Sequence, residues 1–261
     1  MNEQEILNTY KKQEDKICLA QVLDKIKLSQ NKNIIQNTNF LDMYQIALVK
    51  NFLKKIKYEQ YKLWGGYEDA ERKIFMAYPE EEKASNELLK VVRIVLPEED
   101  KGKYTHRNYL GGIIKLGLKR EMVGDILVDE QGADIIVIND FATILKEQLI
   151  TLTRFANSKI EIVDIQNLRK PKIQKEEIKI IVASLRLDNI VSDLARTSRN
   201  KAVEIIKQER VFMNGQNEIK ASKQVKINDI ITIRGKGRFI IKEIAGTTRS
   251  GRPILTIEKY V

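Results

Sequence analysis

Residues 184–202, SLRLDNIVSDLARTSRNKA, read as two short helices, Leu185–Ala195 and Ser198–Gln208. The second turns Ala202, Ile205 and Ile206 inward and leaves Arg199 and Lys201, in its first turn, facing out. A helix start is already partly positive, so each cation there is misplaced by about 0.3–1 kcal/mol. A bound anion reverses that sign, because the exposed N–H groups of a helix start hold phosphate well. Ser198 caps the start and has a hydroxyl to donate; Arg199 suits bidentate contact and Lys201 supplies a point charge. Arg186 repeats the arrangement at the start of the first helix. Taken alone, the stretch also reads as an ordinary solvated helix end.

The charge distribution favours the anion. The chain of 261 residues has a formal net charge of +10, and residues 184–261 hold 16 Lys/Arg against 8 Asp/Glu. Nearly all of the excess lies in the last third, which points to a polyanionic partner such as nucleic acid rather than a membrane surface. That third continues with VFMNG (211–215), a strand entering an Asn-Gly turn, and RGKGRF (234–239), three cations spaced by two glycines that allow a sharp hairpin or close approach of a ligand. A lone cysteine, Cys18, excludes an intramolecular disulfide and suits a reducing compartment. No leader-like apolar segment opens the chain and no apolar run spans a bilayer, so the expected location is the cytoplasm.

Upstream, residues 1–60 read as a helical region interrupted by the Asn-rich QNKNIIQNTNF, and LWGGYEDAERKIFMAYP (63–79) as two short strands around Gly65-Gly66. VVRIVLP (91–97), a helix after Thr105, GDILVDEQGADIIVIND (124–140), a helix from Phe141 and KIEIVDI (159–165) give β-α-β-β-α-β, the split ferredoxin-like order. RNA-recognition modules of that order stack bases on strand aromatics; VVRIV and DIIVI carry none. The expected class is α+β. The expected organisation is a helical region at 1–60, a ferredoxin-like domain at 61–166, a charged linker at 167–177 and a basic domain at 178–261.

Chemistry finds no site. One His and one Cys exclude a His/Cys zinc cluster, and neither a phosphate-binding loop of the G-x-x-x-x-G-K-[ST] type nor G-x-G-x-x-G after a strand is present. No cofactor, metal or catalytic residue is expected.

RLDNIVSDLARTSRNKAVEIIKQERVFMNG followed by KINDIITIRGKGRF resembles the RNA-binding domain named after small-subunit ribosomal protein S-four, with Asn228-Asp229 where Gly-Asp is usual. LWGGYEDAERKIFMAYP and THRNYLGGIIKLGLKREMVGDILV extend the likeness to the YlmH family of bacterial S-four-type proteins, with Asn108 where an aspartate is usual. That resemblance implies two helices on a bent sheet gripping structured RNA by the start of the second helix. It also implies a non-catalytic, ribosome-associated role in translation or ribosome quality control, with large-subunit rRNA or peptidyl-tRNA as partners. The candidate contacts are Arg186, Ser198, Arg199, Asn200, Lys201, Asn214, Arg234, Lys236, Gly237 and Arg238, with His106, Arg107 and Arg120 as secondary contacts. A monomer is expected off the ribosome. The alternative is an RNA-modifying enzyme: some pseudouridine synthases with such a domain use an Arg-Leu-Asp segment with a catalytic aspartate, and Arg186-Leu187-Asp188 matches those letters.

Overall fold

The computed structural model describes residues 3–79, 88–169 and 175–260. It is α+β and divides into two compact units, residues 1–171 and 172–261. The first unit carries α1 (Glu3–Asn8), α2 (Gln13–Lys32), β1 (Gln36–Leu41), α3 (Met43–Ile56), β2 (Tyr61–Trp64), β3 (Lys73–Ala77), β4 (Leu89–Val95), α4 (His106–Lys115), β5 (Val123–Asp129), β6 (Gly132–Ile138), α5 (Asn139–Ile150) and β7 (Lys159–Asp164). The second carries β8 (Lys175–Ile181), α6 (Leu187–Ala195), α7 (Arg199–Lys207), β9 (Val211–Met213), β10 (Gln216–Asn217), β11 (Ile230–Ile233), β12 (Gly237–Thr247) and β13 (Pro253–Tyr260).

In the first unit, α2 buries Cys18, Leu19, Val22, Leu23 and Ile26 along one stripe. A capping box between Asp42 and Gln45 starts α3. Between these helices the Asn-rich stretch is a strand: β1 pairs with β3, and β2 completes an antiparallel sheet of order β1-β3-β2. Residues 61–77, which the sequence suggests as the head of the ferredoxin-like domain, therefore join the N-terminal helices instead. The partner of β3 on its other edge, β1, lies more than thirty residues upstream, a pairing that local pattern does not encode.

β4 to β7 form the second sheet, in the order β5-β6-β4-β7 with every neighbour antiparallel, which is the split β-α-β-β-α-β arrangement. Val92, Ile94, Ile135 and Val137 pack on one face against Tyr109 and Ile113 of α4 and Leu145 and Leu149 of α5. Leu89, Val91 and Ile136 on the other face meet Phe40, Ile74 and Met76. The unit is thus four layers: helices, sheet, sheet, helices. The sheet face on which a base-stacking platform would stand is buried under the first sheet. Asp125 of β5 ties the layers by accepting the Tyr67 hydroxyl (2.9 Å) and the N–H groups of Glu71 (2.8 Å) and Arg72 (3.1 Å). Gly66, at φ +97°, sits where a Cβ would stand 2.6 Å from Ile165 Cδ1, which explains the second glycine of LWGGY.

A second tie closes the far end of this sheet. Asp134, fully buried, accepts Arg93 through Nε (2.9 Å) and Nη2 (2.8 Å), and Arg169 through its backbone N–H (2.8 Å) and Nε (2.9 Å). Both ends of the linker expected at 167–177 belong to the folded units. Arg169 is packed into the first unit, Lys175–Ile181 is strand β8, and residues 170–174 lie outside the described residues.

The second unit is a six-stranded antiparallel sheet of order β10-β9-β11-β12-β13-β8 with α6 and α7 over it. Leu187, Ile190, Val191 and Leu194 of α6 and Ala202 and Ile206 of α7 share a core with Val211, Ile231, Ile233, Phe239, Leu255 and Ile257. α6 ends on Arg196 in the left-handed region (φ +52°), and α7 begins at once, capped by Ser198, whose Oγ accepts the Lys201 N–H at 3.3 Å.

Candidate nucleic-acid interface

The two helix starts meet on one carboxylate. Asp188, at 2% exposure, accepts Arg186 through Nε (3.1 Å) and Nη2 (2.8 Å), Arg199 through Nε (3.1 Å) and Nη2 (2.9 Å), and the Asn189 N–H (3.0 Å). Five donors fill the lone pairs of one ionised carboxylate. Burial alone would raise the Asp188 pKa, but the Arg186 and Arg199 guanidiniums outweigh it and hold the carboxyl below its ordinary value. The cation at the start of α7 is therefore not simply misplaced against the helix dipole. It is the counter-ion of Asp188, a contact between residues eleven apart on different helices. Both guanidiniums keep an outward edge, with side chains 35% and 54% exposed. One negative charge answers two positive ones, so the pair of helix starts stays net cationic and fixed in place.

Around this pair, Ser198, Asn200 and Lys201 are exposed on the first turn of α7, and Lys201 reaches only the exposed Glu204 (2.7 Å). Sequence reading misses the loop that lies beside them. Leu187 N–H donates to Lys223 O (2.8 Å), Asp188 N–H to Ala221 O (3.0 Å), and Arg186 bridges Gln224. This brings exposed Lys223 and the neighbouring Lys220 to the start of α6. Their spacing in KASK (220–223) carries no periodic signal that would mark them.

The other candidates separate. Arg234 and Lys236 sit in the β11–β12 turn, where Gly235 and Gly237 take φ +79° and +120°. Arg234 lies over the Phe212 ring (5.3 Å) and Arg238 over the Tyr260 ring (4.8 Å); Lys236 is exposed. The Arg234 N–H donates to Arg210 O just past the end of α7, so this turn lies near the helix end opposite Arg199, about 12 Å along its axis. Asn214, expected to touch RNA, has its amide engaged within the fold. Its Nδ2 donates to Asp229 (2.8 Å) and its Oδ1 accepts the Ile230 N–H (2.8 Å), so both ends of its amide serve the fold. Asn228 takes φ +69°, the left-handed region that the more usual glycine would adopt and that asparagine tolerates.

In the first unit, His106 and Arg107 are exposed at the start of α4. Partial burial, and then the nearby Arg120, hold the His106 imidazole below its ordinary pKa. Arg120, expected as a secondary RNA contact, is tied to the backbone instead. Its Nη1 donates to the carbonyls of Val123 (2.7 Å) and Gly124 (2.8 Å), and burial, with Arg72 nearby, lowers its pKa to about 10. Asn108, in place of an aspartate, accepts the Thr105 N–H through Oδ1 (2.9 Å). An amide oxygen caps there as a carboxylate would, so the substitution preserves the helix start.

Residues 85–168 match the family model described as "Putative RNA-binding domain in YlmH". A relative from Bacillus subtilis (strain 168), named ribosome-associated protein quality control protein P2, is 28% identical over 249 residues, covering 95% of this chain and 96% of its own. A solved structure titled "Cell division protein ylmH from Streptococcus pneumoniae" aligns at a TM-score of 0.47 with 23% identity, covering 59% of this chain and 93% of that one. The family-model match and the Bacillus subtilis relative bear out the family resemblance read from the sequence, and the ferredoxin-like sheet and its helices are the part that carries the matched domain.

Proposed function

We propose that this YlmH-like chain is a non-catalytic RNA-binding protein of the ribosome. The matched RNA-binding domain and the name of the Bacillus subtilis relative support ribosome-related RNA binding. On our reading the second unit is an S-four-like domain. Through it the protein grips structured RNA of the large subunit, or tRNA held there, in cytoplasmic ribosome quality control, and it is a monomer when off the ribosome. Among the described residues no helix is long and apolar enough to cross a membrane.

The observation that carries this reading is the Arg186–Asp188–Arg199 cluster. Two guanidiniums are set at the starts of two helices, and their one counter-ion is too little to neutralise them. A phosphate completes that arrangement. The same cluster weighs against the enzyme alternative. A catalytic aspartate needs free lone pairs and access to a base, whereas Asp188 is buried and accepts five donors.

The test leaves the cluster intact. Lys201→Gln with Lys236→Gln changes two exposed cations that the fold does not need. Titrating the full chain with an RNA stem-loop should show a slope of log affinity against log salt reduced by about 0.7–0.9 for each phosphate no longer neutralised. An unchanged slope and affinity would place the RNA elsewhere. New modified nucleosides after incubation with total RNA would favour the enzyme.

A further inference from the structure

Beyond Ile241 the sheet of the second unit narrows. β11 pairs with β12 only from Ile230↔Ile240 to Ile233↔Gly237, and the last ties on that side join Ile241 to Asn228 and Asp229. β12 runs on to Thr247 against β13, and β8 flanks β13 from Ile254↔Ile181 to Tyr260↔Lys175. The result is a three-stranded arm extending about 20 Å past Ile241. Irregularities at 241–243 and 244–246 twist its open edge.

A built turn closes the arm. Thr248 N–H donates to Arg252 O (2.9 Å), Gly251 N–H donates to Thr248 O (2.9 Å), and Arg252 N–H donates to Thr248 Oγ1 (3.1 Å). The Thr248 and Ser250 hydroxyls lie 3.0 Å apart, and Gly251 takes φ +77°. This fixed turn presents Arg249 and Arg252, both exposed and neither with a carboxylate partner among the described residues. Lower on the arm Lys242 pairs with Glu258 and Lys259 with Glu176, and exposed Lys179 of β8 has no carboxylate partner among the described residues. Two free cations, Arg249 and Arg252, stand together at the tip.

The tip also stands at the end of the arm nearest the helix starts. Val182 N–H donates to Pro253 O (3.1 Å), one residue from Arg252, and the chain reaches Arg186 four residues after Val182. The reach of an extended chain keeps Arg186 within about 18 Å of Pro253. One connected run of the fold therefore carries free cations at the tip and a fixed cationic pair at its other end.

We propose that the turn at 248–252 is a second phosphate contact, through which the arm holds the backbone of the same structured RNA that the starts of α6 and α7 grip. The proposal rests on the RNA-binding function proposed above. It names an element with no mark in the sequence, where TTRSGR reads as one turn among several.

The test compares three forms of the full chain: the natural sequence, Arg249→Gln with Arg252→Gln, and Lys201→Gln with Lys236→Gln. The probe is an RNA stem-loop of about 16 base pairs, long enough to present two successive minor grooves. The arm variant should bind about tenfold more weakly near 0.1 M salt, and its salt slope should fall by about 1.4–1.8, as expected for two phosphates. Its melting temperature should be unchanged. Affinity and slope equal to those of the natural sequence, with the lysine variant weakened, would overturn the arm contact and leave the RNA-binding function standing. A natural sequence that binds the stem-loop without salt dependence would overturn both.

Discussion

Replacing Asp188 by Asn is the sharpest perturbation of the candidate interface. The side chain keeps its shape and loses the one negative charge that faces two guanidiniums. At an effective dielectric near 20, a unit pair at about 4 Å interacts by about 4 kcal/mol, and breaking a buried pair from one side costs about 3–5 kcal/mol. The Arg186 and Arg199 side chains are 35% and 54% exposed, so both can turn toward water, which reduces the loss to about 2–3 kcal/mol. In a unit of this size that lowers the melting temperature by about 10–20 °C. Arg199→Ala should cost about 1 kcal/mol, because Arg186 and the Asn189 N–H still satisfy the carboxylate. The assay is thermal unfolding of the full chain followed by circular dichroism, repeated down the pH scale. The folded-state pKa of Asp188 lies below its unfolded value. Its contribution is therefore complete above the unfolded value of about 3.9 and is lost as pH falls through the lower folded value. The Asn variant should lack that part of the acid transition. An Asn variant as stable as the natural protein, with the same acid limb, would show that Asp188 does not organise the two helix starts.

Three further outcomes test the first unit. Asp134→Asn should destabilise it and flatten its acid unfolding. Burial raises the Asp134 pKa, but Arg93 and Arg169 outweigh it and hold the carboxyl low, so its contribution also disappears only as pH falls below about 4; a variant that unfolds in acid like the natural chain would refute this. Gly132→Ala should cost more than about 2 kcal/mol in a denaturant titration, because at φ +148° its Cβ would collide with the Ile94 carbonyl oxygen, which is backbone and cannot turn away. Cys18 is buried and its thiol is pushed up to about 12, by burial first and then by Asp42 and Asp15. A thiol reagent at pH 8 should modify it only as fast as the unit opens, and reaction at the rate of a free thiol would contradict its burial.

Local pattern carries a definite share of this fold. The stripe from Cys18 to Ile26, the order of elements from Val91 to Ile165 and the two helices of residues 184–202 are each written in spacings of two to four residues, and each appears in the fold where those spacings put it. Ser198 declares itself a cap in the same way, because a cap and the N–H it accepts are three residues apart. Folding in three dimensions was needed to settle which sheet takes β2 and β3, and that both faces of the second sheet are covered. Strand pairing is a choice among distant partners, and β1 wins β3, with β2 on its other edge, through contacts that no short window contains. The candidate site divides along the same line. The cations of the SRNK turn and the RGKG hairpin are legible as charge. That Asp188 unites Arg186 with Arg199, that Asn214 and Arg120 serve the fold, and that Lys223 lies beside the α6 start are not legible. A charge in a sequence has no partner until folding brings one within about 3 Å, and that partner decides whether the charge holds the fold or remains free for a ligand.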